Sequence, residues 1–446
     1  LHFFIREQHK KTTASENGKI IIYRIKKVIS TKFPELFEKI EALPDNRKRK
    51  DYSSLEIITS GVFLFILKEG SRNKYNNDRM DAVFSKNYYK HFHLRMPHPD
   101  VIDEVMRVLP SDFLEVLKAE LVASLIEQKC FRSFRLFGTH YLVAVDATGM
   151  QTFSERHCEH CLTKTSKNDV VTYFHYVLEA KLVTSAGHAI SLATEFIENQ
   201  SDINFDKQDC EQKAFVRLAK KIKKHFPRLP ICILADGLYP NNTAFQIFKE
   251  NNWQFIITLK EGNLKTFNEE VNLLKSTAKS YHVHRADNNK KTDMEYMYLN
   301  DIEYNKHAYS WVLCKSKETK FKDGSIEEKM FAYITNIPQG AETVITTADS
   351  GRLRWKIENE GFNTQKNLGY AMEHKYSRVS YLALKNYYQL LQIGHMINQF
   401  VEKSKDFVEL LEAFSGKTIE SLWLDLNVFM KTIPVTEAQK IAFFAT

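Results

Sequence analysis

The spacing of hydrophobic positions changes twice along this chain. Up to about residue 135, apolar residues recur three and four apart, which keeps them on one face of a helix. Residues 53–68 predict a helix. Its apolar run, 57–67, is interrupted only by Thr59, Ser60 and Gly61, so the helix is expected to be buried on most sides. Residues 97–109 predict a second helix, opened by Pro99-Asp100 and carrying Val101, Ile102, Val105, Met106 and Val108. Residues 111–128 predict a third. The pattern then shortens. An apolar run at 141–145 reads as a strand ending at Asp146. Residues 171–184 are rich in β-branched and aromatic side chains, Ser185-Ala186-Gly187 is a turn, and 188–197 alternate again, so a three-stranded meander is expected. An amphipathic helix at 207–226 stops at Pro227 and Pro230. A strand at 231–235 ends at Asp236, followed by a helix at 241–250 and a strand at 254–259. Three strands, helix, strand, helix, strand make a mixed sheet with helices on both faces.

A second change comes at residue 265. Segments 281–284, 294–299, 307–314 and 329–337 all read as strands and predict a β-rich insertion, expected as a subdomain beside the core. Helical spacing returns at Gly351 and continues to the end. The expected organisation is a helical N-terminal region at 1–135, a first core segment at 136–264, the insertion at 265–345, a second core segment at 346–400 and a helical region at 401–446.

Asp146 and Asp236 carry the candidate chemistry. Aspartate is a poor strand residue, and a buried unpaired carboxylate is costly. Two such strand ends side by side repel unless a divalent cation lies between them. Helix capping or turn formation is the competing reading, since Asp146 precedes Ala-Thr-Gly149 and Asp236 precedes Gly237. A third acid sits in Arg352-Leu-Arg354-Trp355-Lys-Ile-Glu358-Asn-Glu360-Gly-Phe362. On a regular helix, Trp355 and Phe362 flank Glu358 on one face, while Glu360 turns about 200° away toward Lys356, Asn363 and Thr364. A carboxylate among aromatics needs a partner. That partner is a metal, or Arg354 one turn earlier.

The ordered set of Asp, Asp and an Arg-Trp-x-Ile-Glu helix resembles the DDE transposases of bacterial insertion sequences, most of all their IS-four-like group. The spacings of 90 and 122 residues suit that group, whose third carboxylate follows a β-rich insertion. The similarity extends over about residues 43–400 and includes Leu43-Pro-Asp-Asn-Arg47 and Gly70-Ser-Arg-Asn73. It implies an α/β protein with a ribonuclease-H-like catalytic core, in which Asp146, Asp236 and Glu358 are both catalytic residues and ligands of Mg2+, with Mn2+ as a substitute. It implies cleavage and strand transfer of double-stranded DNA, at terminal inverted repeats and target, by a homodimer in the bacterial cytoplasm and nucleoid. The group's Tyr-x2-Arg-x3-Glu-x6-Lys signature is met at Arg354 and Glu358 only. Gly351 stands at the Tyr position, and Gln365 at the Lys position with Lys366 one residue late. One residue is about 100° of helix, so Lys366 joins the Glu358 face only if the helix bulges near Gly361. With that bulge, Arg354 and Lys366 are the expected phosphate contacts. The alternatives are a ribonuclease-H-like nuclease that does not rejoin ends, and a transposase-derived DNA-binding protein without catalysis.

Composition narrows the picture modestly. The net charge of +8 permits a polyanionic partner, and clusters at 47–50 and 220–224 are as readily solvated faces. No apolar run reaches the roughly 18–20 residues of a membrane span. No signal peptide is expected, and a chain beginning at Leu1 suggests a natural start further upstream. Six scattered cysteines suit a reducing compartment. His157, Cys158, His160 and Cys161 crowd one loop, where Cys-x2-Cys is half of a zinc knuckle; with no second pair nearby, a polar loop is expected. Trp311, on a predicted strand, is expected in the core rather than against a flipped base.

Overall fold

A computed structural model describes residues 13–45, 47–48, 50–199, 208–413 and 416–434. Asn46, Arg49 and the start of the helix expected from Lys207 lie outside the described residues, as does the end of the C-terminal region. The protein is mixed α/β, 47% helical and 24% strand, with its strands in a mixed sheet. In chain order the elements are α1 (Ala14–Lys32), α2 (Leu36–Glu41), α3 (Ser54–Ile66), α4 (Arg72–Met80), α5 (Ala82–Phe92), α6 (Pro99–Val108) and α7 (Ser111–Glu127). There follow β1 (Tyr141–Phe153), β2 (Leu162–Thr165), β3 (Val171–Val183), β4 (Ala189–Ile197), α8 (Glu211–His225), β5 (Ile231–Ala235), α9 (Asn242–Glu250) and β6 (Gln254–Thr258). Next come α10 (Lys265–Leu274), β7 (Lys279–Ala286), β8 (Lys290–Tyr304), β9 (His307–Lys320), β10 (Ile326–Thr335) and α11 (Ala341–Arg352). A π-helical segment (Ile357–Asn363) leads into α12 (Thr364–Asn367), α13 (Tyr381–Glu402), α14 (Lys405–Glu412) and α15 (Ile419–Thr432). No helix among the described residues is long and apolar enough to cross a membrane.

The chain forms two compact units. One is Lys129–Phe362; the other joins the stretch ending at Gln128 to the stretch resuming at Asn363. The first holds the ten strands in one sheet, ordered β2-β3-β1-β5-β6-β10-β9-β8-β7, with β4 also pairing β3. β1, β3 and β4 are the expected antiparallel meander, and β5 and β6 run parallel to β1. Residues 265–345 are β-rich as expected, but they do not stand beside the sheet. β10 hydrogen-bonds to β6 at Tyr333↔Thr258, so the four strands prolong the core sheet. The stretch also opens with α10, and the following helix begins at Ala341, ten residues before Gly351. Helices cover both faces. Val344, Ala348, Ile357 and Phe362 pack on the side of Leu142, Ala144, Cys232 and Leu234. On the other side Phe248 of α9 meets Phe255 of β6 at 5.0 Å, and Phe215 of α8 meets Phe248 at 5.9 Å.

The second unit is helical. α13 is buried along almost its whole length, with α3, α6 and α7 packed on it. α3 is the buried helix the apolar run predicts, started by a capping box between Ser53 and Glu56. Every third residue of α13 from Asn386 to Asn398 is polar and buried, and the first and last of them close the ends of neighbouring helices. Asn386 donates to the carbonyls of Met106 and Leu109 at 2.8 and 2.6 Å, and Asn398 donates to that of Ile66 at 3.0 Å.

Candidate active site

Asp146 is not at the end of its strand. β1 continues through it to Phe153, held by β3 with Asp146 opposite Glu179. Alternation along a strand places Leu142, Ala144 and Asp146 on one face. The parallel pair β1–β5 runs in register from Tyr141↔Ile231 to Ala144↔Leu234. Carried two residues further, that offset sets Asp146 level with Asp236. Leu234 belongs to the same cluster as Ala144, so both aspartates follow residues of the face that the α11 segment covers.

Asp236 follows the last residue of β5 and also builds a turn. Its Oδ1 accepts from the Leu238 amide at 2.8 Å, and its Oδ2 lies 3.7 Å from the Lys260 ammonium. A Cβ on Gly237 would sit 2.8 Å from the Lys260 stem, so glycine lets that side chain lie across the turn.

The third element departs from the regular helix expected. α11 ends at Arg352, Leu353 and Arg354 form a turn, and the π-helical segment begins at Ile357. Glu358 is therefore not flanked by two buried aromatics. Phe362 is buried, but Trp355 is 51% exposed. Arg354 reaches Asp146, with Nη1 3.3 Å from Oδ2, so the alternative pairing with Glu358 one turn away gives way to one across to β1. Its guanidinium also lies 4.6 Å from the Trp355 ring centre. Glu360 is not left to water, since Lys356 pairs with it. Gly351, at the signature's Tyr position, faces the Tyr333 ring, 2.7 Å from where a Cβ would lie; β10 fills the space a side chain there would need. The bulge required near Gly361 is present as the π-helix. Lys366 itself belongs to the helical unit, where it pairs with Glu373 at 3.0 Å.

Electrostatics tie the acids together. Burial is the main cause that pushes the Asp146 carboxyl up to about 6 from 3.8; the charges of Glu358 and Asp236 add to it, and Arg354 and the Ala147 amide oppose it. Two groups missed by the sequence reading join the cluster. Glu211, at the start of α8, is raised by burial and by Asp146 and Asp236, and it accepts from the Tyr239 hydroxyl at 2.7 Å. Nothing in the local pattern marks Glu211. Glu179 and Lys181, 3.6 Å apart and fully buried, were also missed, and here a signal exists: two charges two apart on an otherwise apolar strand share a face. The Lys181 ammonium lies 5.6 Å from the Phe362 ring centre, beneath the segment that carries Glu358.

No family model matches this chain, and no curated protein does.

The site is thus defined by its own geometry. Among the described residues, one group of three potential ligands closes to within 4.8 Å of one another, and it is Cys158, Cys161 and His175. Asp146, Asp236 and Glu358 do not form such a group. Of the crowded loop, His157 stacks on Phe153 at 4.3 Å and His160 Nδ1 lies 3.0 Å from the Asn199 carbonyl, so neither ring joins the group. Trp311 is 3% exposed on β9, a core residue as expected. In the 220–224 cluster Ile222 is buried, Lys221 holds Glu195 at 2.8 Å, and Lys220, Lys223 and Lys224 are exposed.

Proposed function

We propose that this chain is a DDE transposase, which cleaves double-stranded DNA at the ends of an insertion sequence and joins them to a target, on a ribonuclease-H-like core. The observation that carries the reading is the alignment of Asp146 with Asp236 on neighbouring parallel strands, with Arg354 and Glu358 brought over the same face. The mixed sheet, with its meander followed by two parallel strands, supports that core. The donor set fits a hard divalent cation. It is all oxygen, and Asp146 ionises against burial and two like charges with one guanidinium at 3.3 Å. Asp146, Asp236 and Glu358 would together hold the ions, and two ions are the usual complement for phosphoryl transfer. Bound Mg2+, or Mn2+ in its place, would polarise the phosphate and favour deprotonation of the attacking water or hydroxyl.

The protein's own part is positional. Asp146 is held in a continuous strand and Asp236 in a hydrogen-bonded turn, so both carboxylates are fixed before substrate arrives. Arg354 offers its remaining N–H donors to the phosphate beside the scissile bond. Lys366 is assigned a second phosphate contact. The helical N-terminal region would read the terminal repeats, the β-rich stretch would clamp DNA, and a homodimer would bring two ends together.

The test uses the full chain with DNA that carries the sequences flanking its gene, in Mg2+. Cleavage followed by joining to a target plasmid is expected. Asp146→Ala, Asp236→Ala and Glu358→Ala should each abolish both steps while DNA binding persists. Cleavage without joining would make the protein a nuclease. Binding without cleavage would make it a DNA-binding derivative.

A further inference from the structure

We infer that Cys158, Cys161 and His175 form a zinc site that fastens the loop after β1 to β3. Cys158 and Cys161 stand at the two ends of a tight turn, closed by the Cys161 amide donating to the Cys158 carbonyl at 3.3 Å. This turn brings their sulfurs to 3.7 Å. His175 comes from β3, opposite Gln151 of β1, and its Nε2 lies 3.6 Å from the Cys158 sulfur and 3.7 Å from that of Cys161. A tetrahedral zinc with bonds of about 2.3 Å to sulfur and about 2.0 Å to nitrogen sets its ligand atoms about 3.8 Å apart for two sulfurs and about 3.6 Å for sulfur and nitrogen. The three side chains therefore already outline three corners of the tetrahedron.

The ligand types select the ion. Two thiolates and an imidazole suit zinc and exclude magnesium, which takes oxygen ligands. The fourth corner is left to water or another donor. The turn is braced from outside, since the Asn199 side-chain amide donates to the Cys161 carbonyl at 3.1 Å. Cys161 and His175 are almost fully buried, so a bound ion would be shielded on that side. Asp146 lies five residues back along β1 from Gln151, roughly 16 Å at the rise of an extended strand. The zinc therefore lies away from the carboxylates. It fixes the far end of the β1–β3 pair, and it is separate from the carboxylates, so the inference stands whether or not the transposase reading does.

The full chain, purified under reducing conditions from zinc-supplemented cells, should hold one zinc per chain by elemental analysis. A mercurial that captures thiols should release it. Cys158→Ser, Cys161→Ser and His175→Gln should each lose it, while His157→Ala and His160→Ala should keep it. Because the first three variants can fail to fold, cobalt exchange into the wild-type chain gives a second readout. Tetrahedral cobalt with two thiolates should show sulfur-to-cobalt charge transfer in the near ultraviolet and strong visible bands. Wild-type chain without zinc, zinc that survives the three ligand substitutions, or cobalt bound without a thiolate band would each overturn the proposal.

Discussion

The Arg354 guanidinium lies 3.3 Å from the Asp146 carboxylate, although 208 residues separate them. It is the cation that offsets the raised Asp146, and on the proposed function it is also the one nearest the reacting phosphate. Arg354→Ala should therefore reduce cleavage far more than DNA affinity, and Arg354→Lys should rescue little, because an ammonium cannot copy a forked contact. Cleavage rates and binding curves for the two variants check this. Activity lost only in proportion to a lower melting temperature would reduce Arg354 to a structural partner of Asp146.

Glu358 and Glu360 separate function from surface chemistry. Glu358→Ala should abolish cleavage with the melting temperature nearly unchanged. Glu360→Ala removes a partly exposed pair with Lys356, and should cost about 0–1 kcal/mol with activity retained. The opposite result would move the third acid to position 360.

Asp146 predicts a pH effect of defined sign. Its folded value, about 6, stands above the ordinary 3.8, so the folded state resists ionisation. The penalty is absent below 3.8, grows between the two values and is complete above about 6. Without divalent metal, Asp146→Asn should thus stabilise the chain above pH 6 by about 1–3 kcal/mol, the Arg354 attraction being already contained in the raised value, and should have little effect in acid. Urea unfolding on either side of that window measures it. Stabilisation that is the same at both ends would rule out the ionisation of Asp146 as its source.

Gly351 should not accept a side chain. A Cβ there would meet the Tyr333 ring at 2.7 Å and the Ile256 side chain at 3.1 Å. Gly351→Ala should destabilise the chain by about 1–3 kcal/mol through overpacking. Pairing it with Tyr333→Leu should recover much of that loss. A neutral single variant would show that α11 can move off the sheet without strain.

On the proposed function, DNA affinity should fall steeply with salt, because contacts spread over many lysines and arginines would release counterions on binding. A binding series over increasing salt should give a straight line of log affinity against log concentration. Affinity indifferent to salt would argue against an electrostatically held duplex.

Much of the fold was legible because local periodicity reports burial. The buried helix α3, the meander, and the bounds of β5 followed from spacing and composition alone. Both aspartates were visible as charges interrupting apolar runs. The strand end placed at Asp146 was an error of the same origin. Residues 147–153 are more polar than the run before them, yet backbone pairing with β3 keeps them extended. The β-rich stretch was readable as strands, but pairing between β10 and β6 is a contact between distant segments, and no local pattern encodes it.

The sequence by itself determined most types of element, the three acidic positions and the Cys-x2-Cys turn, since each depends on residues within a few positions of one another. Tertiary structure alone decided which groups meet. It set Asp146 level with Asp236, turned Arg354 toward Asp146 instead of Glu358, brought Glu211 into the field of the acids, and supplied His175 to the two cysteines. The physical reason is common to all four. Strand register, helix termination at Arg352 and a π turn are settled by packing against the sheet, and a shift of a single residue in any of them would send these side chains elsewhere.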